Sequence, residues 1–478
     1  MIDPGILSLI AVGIIAIPSM FILLLQGLFY ICGKKCPKKS FNVTSEDILR
    51  DEHSNRPIVS IIIPVRKEPL EYIDDALNNL SEWSIRDKIE IIIVSDDTKD
   101  YALQIQNLVN KWRQKGLNII FLWRSEPRGF RTGALNTGLW ASIGETVYIM
   151  DVDSRINESF IIKGVKLIRT KAMAVVGRWS AKNKDTRLSE ALAHTMDYIV
   201  DSIYRGRSCL KLPVFPVGTG TIYDADKLKK IYNGWDEERI QDDMELGARI
   251  MYRGDKIIYL DEEEVLVEVP RRFKSFRIQQ ERWAYGAMDV VISRFKHIIF
   301  SKQRFYARIE AFLFLLQYLP LLLALIGIPL AVFVSIAYKI DPFAYAWIIN
   351  VLWSITAALY IKNYAESAAE TGASFYKALV SLGRISAATI ALTPAVSKGM
   401  ILAILRKKYT YKRTPKGVHE HLLGTLRFPT ELVLGIIFII TSFYLLYIGI
   451  LLTGLWLLAY SLGYLYTFMR WPHDIIFK

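Results

Sequence analysis

Cysteine and histidine are scarce in this chain of 478 residues, which contains three cysteines and six histidines. The histidines are scattered, and no Cys/His spacing typical of a zinc site is present. Internal repeats and low-complexity tracts are also absent, which argues against a repeat architecture. We expect Cys32, Cys36 and Cys209 to be reduced, because the domain that follows the first two is predicted below to be cytoplasmic.

Charge is absent from four long stretches of the sequence, 4–33, 311–338, 343–361 and 432–469. The chain is 52% hydrophobic with a mean hydropathy of +0.24, which excludes an ordinary soluble protein. Because about 20 apolar residues cross a bilayer, the first three stretches each predict one span and the last predicts a hairpin. The five predicted spans comprise helices over 5–32, 309–338 and 343–361 and a hairpin over 430–468.

The net charge of +13 is concentrated beside these apolar stretches. Lysines and arginines follow the first stretch, precede the second and cluster before the hairpin, whereas the other loops carry almost none. By the positive-inside rule, residues 36–305 form a cytoplasmic domain and 374–428 form cytoplasmic interfacial helices with a loop. The prediction is therefore a multi-pass cell-membrane protein with its N-terminus outside, whose basic charge serves topology and anionic lipid and not nucleic acid.

The predicted cytoplasmic domain alternates strands with helices. Short β-branched runs predict strands over 57–64, 88–97, 118–123 and 145–151, and helical spacing predicts helices over 70–83, 102–116 and 131–142. Such alternation indicates an α/β fold with a parallel sheet covered on both faces. In these sheets ligands bind beyond the carboxyl ends of the strands, where this sequence places Asp96, Asp97, Asp151 and Asp153.

The Asp-x-Asp pair of Asp151 and Asp153 is the first candidate site. Two carboxylates at a strand end suit a hard divalent cation, Mg²⁺ or Mn²⁺, which usually shares its ligands with substrate phosphates. The alternative is an ordinary strand–loop transition with solvated aspartates.

Four further segments carry candidate residues, and each also has a purely structural interpretation. Arg131 opens a helix that is suited to phosphate, although glycine-rich loops are common. Gly218, Thr219 and Gly220 form either a substrate-contacting turn or a simple β-turn. Asp242 and Asp243 are either catalytic or simply stabilise a helix N-terminus. The segment that contains Gln279, Arg282 and Trp283 is either a diphosphate and sugar site or an amphipathic helix near the membrane.

Taken together, these segments resemble the membrane-bound family-2 glycosyltransferases of the processive synthase type, such as cellulose, chitin and hyaluronan synthases. The matching motifs are SDD (95–97), GALNTGL (133–139), DVDS (151–154), GTGT (218–221), QDDMEL (241–246) and QQERW (279–283). The Thr-Glu-Asp of that family is replaced here by Gln241-Asp242-Asp243. The segment 409–419 resembles the gating loop of cellulose synthases, with Thr414 and Lys416 matching but Tyr411 and Arg413 differing. The resemblance implies a GT-A-type α/β domain inserted between transmembrane helices.

The resemblance also implies a role for each residue in an inverting, metal-dependent transfer. Asp243 is expected to be the catalytic base, and Asp151 and Asp153 are expected to hold the cation. The donor is expected to be a UDP-sugar, and either Asp96 or Asp97 would contact its base. The other expected donor-binding residues are Pro64, Glu68, Arg131, Asp151, Gln279, Arg282, Trp283, Thr414 and Lys416. The expected acceptor-binding residues are Gly218, Thr219, Gly220, Asp242 and Trp283.

Three functions remain open at this point. The first is extension of a polysaccharide that is passed across the membrane. The second is transfer of a single sugar to a lipid acceptor, either a polyprenyl phosphate or a ceramide-like lipid. The third, a non-catalytic scaffold with this fold, is disfavoured because every acidic position that the chemistry needs is present.

Overall fold

The computed structural model describes residues 3–37, 43, 56–415 and 425–477. Lys416, which was predicted to cover the nucleotide, lies outside these residues.

A twisted sheet of eight strands forms the centre of the domain, in the order β3-β2-β1-β4-β7-β6-β8-β5. The strands are β1 (Val59–Val65), β2 (Ile89–Ser95), β3 (Ile119–Trp123), β4 (Thr146–Ile149), β5 (Arg155–Ile156), β6 (Ala174–Ala181), β7 (Thr221–Asp224) and β8 (Ile257–Val267). The first four strands in the chain, β1 to β4, are parallel to one another, as predicted. The sheet as a whole is mixed, because β7 is antiparallel to both β4 and β6.

Helices cover both faces of this sheet, and a second set of mostly apolar helices follows it in the chain. The helices of the first half are α1 (Pro4–Lys35), α2 (Leu70–Ser81), α3 (Lys99–Gln114), α4 (Phe130–Ala141), α5 (Glu158–Arg169), α6 (Arg187–Ile199), α7 (Ala225–Lys230), α8 (Asp242–Arg253) and α9 (Phe273–Ser293). Those of the second half are α10 (Phe295–Ile299), α11 (Phe305–Leu315), α12 (Leu319–Tyr338), α13 (Pro342–Tyr345), α14 (Trp347–Glu370), α15 (Phe375–Ile404), α16 (Thr430–Tyr447), α17 (Leu451–Arg470) and α18 (Pro472–Ile476).

The β-branched runs form strands because both faces of the sheet are buried. Ile61 and Ile63 pack into the cluster on one face, and Ile62 and Ile92 pack into the cluster on the other, since successive side chains of a strand point to opposite faces. This burial fixes the register of the central strands. It thereby sets the edge at which their carboxyl ends, and the residues that follow them, come together.

Within the described part of the chain, five helices are long and apolar enough to cross a membrane by length and composition, namely α1, α12, α15, α16 and α17. The number agrees with the five predicted spans, and the chain is a membrane protein with a large inserted domain. One member differs: α14, within the predicted span 343–361, is not among the five, and α15, which was predicted to be interfacial, takes its place. Arg384 and Lys398 of α15 form ion pairs with Glu190 and Glu281 of the domain. The helix α15 therefore lies against the domain, as an interfacial helix would.

The predicted single helix over 309–338 is divided into α11 and α12. The break lies at residues 316–318, immediately before Pro320 in the first turn of α12. Proline is favourable in a first turn but cannot continue a preceding helix, because it lacks the N–H and clashes with the previous turn.

The prediction that all three cysteines are reduced is wrong for two of them. Cys36, just after α1, and Cys209 form a disulfide with a Cα–Cα distance of 6.0 Å. The end of α1 packs backbone to backbone against the π-helical segment Val200–Gly206, where a Cβ at Gly206 would stand only 2.2 Å from the carbonyl of Phe29. This contact brings the two cysteines together, and the sequence spacing does not reveal it.

Candidate active site

The two carboxylates that follow β4 lie at the edge where the parallel strands end. The backbone N–H of Asp151 donates to Thr219 Oγ1 at 3.1 Å, and a carboxylate oxygen of Asp151 lies 2.9 Å from Arg131 Nη2. Asp153 is buried, with 5% of its surface exposed. The turn after β4 is therefore fixed by side chains from two other segments.

Arg131 is the charged centre of this edge. Gly129 and Phe130, with φ of 68° and 48°, turn the chain into α4 so that Arg131 points across the strand ends. Its guanidinium bridges Asp242 at 2.5 Å and Asp151 at 2.9 Å, and it donates to the carbonyl of Gly218 at 2.6 Å. Burial opposes this charge, but the two carboxylates outweigh it and hold the pKa of Arg131 well above its usual value. Arg131, predicted to bind diphosphate, thus lies between two of the predicted acidic site residues.

Asp242 and Asp243 begin α8 and face different partners, because adjacent residues on a helix point about 100° apart. Burial raises the pKa of Asp242, and Arg131 opposes the rise. Burial first, and then the charge of Asp242, raise the pKa of Asp243 to about 7. A Cβ at Gly218 would lie 3.5 Å from Asp243 Oδ2, so the predicted base faces the predicted acceptor turn. A carboxyl group with this pKa can accept a proton at neutral pH.

The turn over Gly218–Gly220 is tied to the Asp-x-Asp segment through Thr219. The Thr219 hydroxyl contacts Ser154 Oγ at 2.9 Å as well as the N–H of Asp151, and its carbonyl accepts from Trp179 Nε1 at 2.7 Å. Gly220 has φ +95°, and a Cβ there would lie 2.9 Å from Val265. Thr219 therefore positions the acidic loop, and a contact of this turn with an acceptor stays a prediction.

The two aspartates after β2 have different partners. Arg124 holds Asp96 through two bonds of 2.6 Å. Asp97 accepts from the backbone N–H of Lys67 at 2.6 Å and from Ser95 Oγ at 2.9 Å. Which of the two contacts a nucleobase stays open. Arg124 was missed at the sequence level, although it follows β3 directly and the same strand-end argument that selected the aspartates applies to it.

Pro64 and Glu68 lie at the end of the neighbouring strand. Pro64 is half-buried within β1, in register with Val94 of β2. Glu68 follows β1 and forms a 2.6 Å ion pair with Arg413 of the loop after α15. Contact of either residue with a nucleoside stays a prediction.

The Gln-x-x-Arg-Trp motif lies on α9 beneath that loop. Arg282 donates to Tyr411 Oη at 3.2 Å and lies over its ring, and the ring stacks on Phe130. Gln279 and Trp283 on the same helix are half-buried. Thr414 is buried, and its hydroxyl has no hydrogen-bond partner among the described residues. The loop thus contacts the first residue of α4 and the residues that follow β1, which the motif alone did not reveal.

No group of three or more His, Cys, Asp or Glu side chains suited to a metal lies within the described part of the chain. Asp151 and Asp153 nevertheless fit a hard divalent cation as its two protein ligands, because such ions commonly complete their shell with water and substrate phosphate. The cation stays a proposal that depends on this pair of carboxylates.

The mixed twisted sheet flanked by helices, with acidic side chains at its strand ends, has a GT-A-like fold. Residues 146–362 match the family model "Glycosyl transferase family group 2". A probable glycosyltransferase of Sulfolobus acidocaldarius is 32% identical over 465 residues, which cover 96% of this chain and 97% of that protein. The chain belongs to the family-2 glycosyltransferases.

Two further similarities are more distant. A probable glucomannan 4-beta-mannosyltransferase 14 of Arabidopsis thaliana is 31% identical over 265 residues, which cover 52% of this chain and 48% of that protein. A mannosyltransferase of Pyrobaculum calidifontis, solved in complex with GDP-Man and Mn²⁺, aligns with a TM-score of 0.49 and 21% identity over 75% of this chain and 98% of that one.

Proposed function

We propose that this protein transfers a hexose from a nucleoside diphosphate sugar to a glycan by a single inverting displacement. The observation that supports this proposal most directly is the position of Asp243, whose pKa is raised to about 7. Asp243 lies beside the turn at Gly218 and next to Arg131, which bridges Asp242 and Asp151. A carboxylate that can accept a proton at neutral pH, Asp243, therefore lies close to the buried guanidinium of Arg131.

In the proposed reaction Asp243 takes the proton of the acceptor hydroxyl as that oxygen attacks the anomeric carbon. The nucleoside diphosphate leaves with the bonding electrons and carries developing negative charge. Arg131 and Arg282 supply positive charge on the side of the departing diphosphate, and preorganised charge of this kind is usually the largest contribution to such a rate. Asp151 and Asp153 would hold a Mg²⁺ or Mn²⁺ ion, which when bound neutralises diphosphate charge.

We propose that the sugar of the donor is mannose. The sequence predicted the nucleotide, as UDP, but not the sugar. The support is the relatives' names, since the plant proteins are called glucomannan 4-beta-mannosyltransferases. Their names also favour a polysaccharide acceptor over a lipid. UDP- and GDP-linked sugars are both to be tested, because Asp96 and Asp97 offer carboxylates suited to the N–H groups of either base.

The proposal includes the topology predicted from the basic residues. The catalytic domain would face the cytoplasm, with the N-terminus outside and the product passed across the membrane.

The test is to incubate the purified protein in lipid nanodiscs with GDP-mannose and a panel of UDP-sugars, with Mg²⁺ or Mn²⁺. Released nucleoside diphosphate is measured first and product size second. We expect release with one donor and a ladder of products, and loss of about 10² to 10⁴ in rate for Asp243→Asn. Asp255→Asn, which removes a carboxylate that pairs with Tyr232 at the far end of α8, is the matched control.

A single-sugar glycolipid product would replace the polysaccharide acceptor with a lipid acceptor. Unchanged turnover in Asp243→Asn would overturn the proposed mechanism.

A further inference from the structure

Helix α9 carries Gln279, Arg282 and Trp283 on one face, and the opposite face is held by three other parts of the chain. At 100° per residue, these three side chains lie about 140° to 240° around the helix from Arg277. On the Arg277 side, Glu281 pairs with Lys398 of α15 at 2.9 Å. The face of α9 that is proposed to bind the donor is therefore opposite the face that packs against the rest of the chain.

One of these anchors is the segment Pro472–Phe477, here called the clasp. Arg277 is 6% exposed and donates to the carbonyl of Asp474 at 2.9 Å and to that of Phe477 at 3.5 Å. Arg272, just before α9, pairs with the Asp474 carboxylate at 2.6 Å. The clasp thus binds the first turns of α9 through two arginines that lie five residues apart.

A buried carboxylate joins this contact to the first residues of α16. Glu431 is fully buried, lies 3.7 Å from Arg277 and receives both Nη atoms of Arg427 at 2.8 to 3.0 Å. Moving either arginine away from Glu431 would leave a buried charge without its partner, which is strongly destabilising. The relative positions of Arg277, Arg427 and Glu431 are therefore strongly constrained.

The clasp also contacts residues 426 and 427. Leu426 pairs with Phe477 as an antiparallel bridge, and the N–H of Arg427 donates to the carbonyl of Ile476 at 2.8 Å. The loop bearing Tyr411 precedes these residues in the chain, and Tyr411 is the residue that contacts Arg282. The clasp therefore contacts α9 directly and also contacts residues 426 and 427, which follow the Tyr411 loop in the sequence.

We propose that Arg277 is a positioning residue, which acts with Glu431 and the clasp to set the orientation of α9 in which Gln279 and Arg282 meet the donor diphosphate. The inference rests on the proposed function. It adds a determinant of donor binding that the sequence motifs do not contain, because Arg277 lies outside the Gln-x-x-Arg-Trp motif and the clasp lies about 190 residues further along the chain.

The test compares Arg277→Met, Arg277→Lys and a variant in which residues 472–477 are replaced by a Gly/Ser sequence of equal length. Arg169→Met is the matched control, since Arg169 forms a two-bond ion pair with Glu145 at the other end of the sheet strands, away from α9. For each variant the donor KM, kcat, thermal midpoint and Kd for UDP and GDP are measured in nanodiscs.

We expect Arg277→Met and the replaced clasp to raise the donor KM and the nucleotide Kd about tenfold or more, because small misplacements of binding groups are costly. Arg277→Lys should recover part of this loss, and a variant that combines Arg277→Met with the replaced clasp should be no worse than the worse of the two single changes. Arg169→Met should lower the thermal midpoint while leaving KM and Kd unchanged.

A purely structural role would lower the thermal midpoint and the yield of Arg277→Met without changing KM or Kd, and that result would overturn the inference. Failure of the proposed function is a different result, namely a wild-type protein that releases no diphosphate from any donor. The nucleotide Kd would still test the positioning role in that case.

Discussion

Neutralising Asp242 should move the acidic limb of the pH–rate profile to lower pH. Asp243 must be ionised to accept a proton, and its pKa of about 7 is raised first by burial and second by the charge of Asp242. Asp242→Asn removes that second cause and leaves the burial in place. The pKa of Asp243 then falls, and the active ionised form persists at lower pH.

The size of the shift follows from the order of these causes. The rise from 3.8 to about 7 is due mainly to burial, so the loss of one neighbouring charge should recover about one pKa unit. One unit corresponds to about 1.4 kcal/mol, and at pH 6 it would raise the ionised fraction of Asp243 from about one tenth to about one half. Arg131→Gln should shift the limb in the opposite direction, because the positive charge of Arg131 lowers the pKa of Asp243.

The assay is nucleoside diphosphate release at saturating donor and acceptor, from pH 5 to pH 9 at constant ionic strength. Saturation separates the titration of Asp243 from any weakening of donor binding in Arg131→Gln. Asp255→Asn again serves as the control and should leave the limb in place. If Asp242→Asn and Arg131→Gln move the limb in the same direction, or if neither moves it, Asp243 is not the base that limits the rate.

Three further predictions follow from the contacts. Thr219→Val should lower kcat about tenfold, because it removes the hydroxyl that orients the Asp151 loop; unchanged kcat in initial-rate assays would contradict this. Tyr411→Ala should raise the donor KM measured in the same assay, while Tyr411→Phe, which keeps the stacking ring, should lose less. Intact-mass analysis without reductant should find Cys36 joined to Cys209, and Cys36→Ser should lower the free energy of unfolding by about 2 to 4 kcal/mol; two free thiols at these positions would exclude the disulfide.

Local patterns predicted much of the domain. Apolar β-branched runs such as 57–64 and 88–97 formed parallel strands, because a doubly buried strand needs only continuous apolar side chains and a polar stop. The mixed second half of the sheet was not predicted, since β7 and β8 carry weaker periodicity and their pairing depends on distant partners.

The sequence selected candidate residues for the site but not the contacts between them. Motif spacing selected Asp151, Arg131 and Asp243, because strand ends and helix starts are readable from the chain. The two partners of Arg131, Asp151 and Asp242, lie 20 and 111 residues further along the chain, so no local pattern encodes this bridge.

The sequence by itself determined that this protein has apolar helices around an α/β domain and that the domain carries the acidic motifs of a family-2 glycosyltransferase. These properties follow from hydropathy, periodicity and short motifs, which act over a few residues. Only the tertiary structure decided that Cys36 meets Cys209, that Arg131 joins two carboxylates, and that α9 is held from behind by the clasp. Such contacts depend on how buried surfaces pack across long separations in the chain, and packing of that kind leaves no local trace in the sequence.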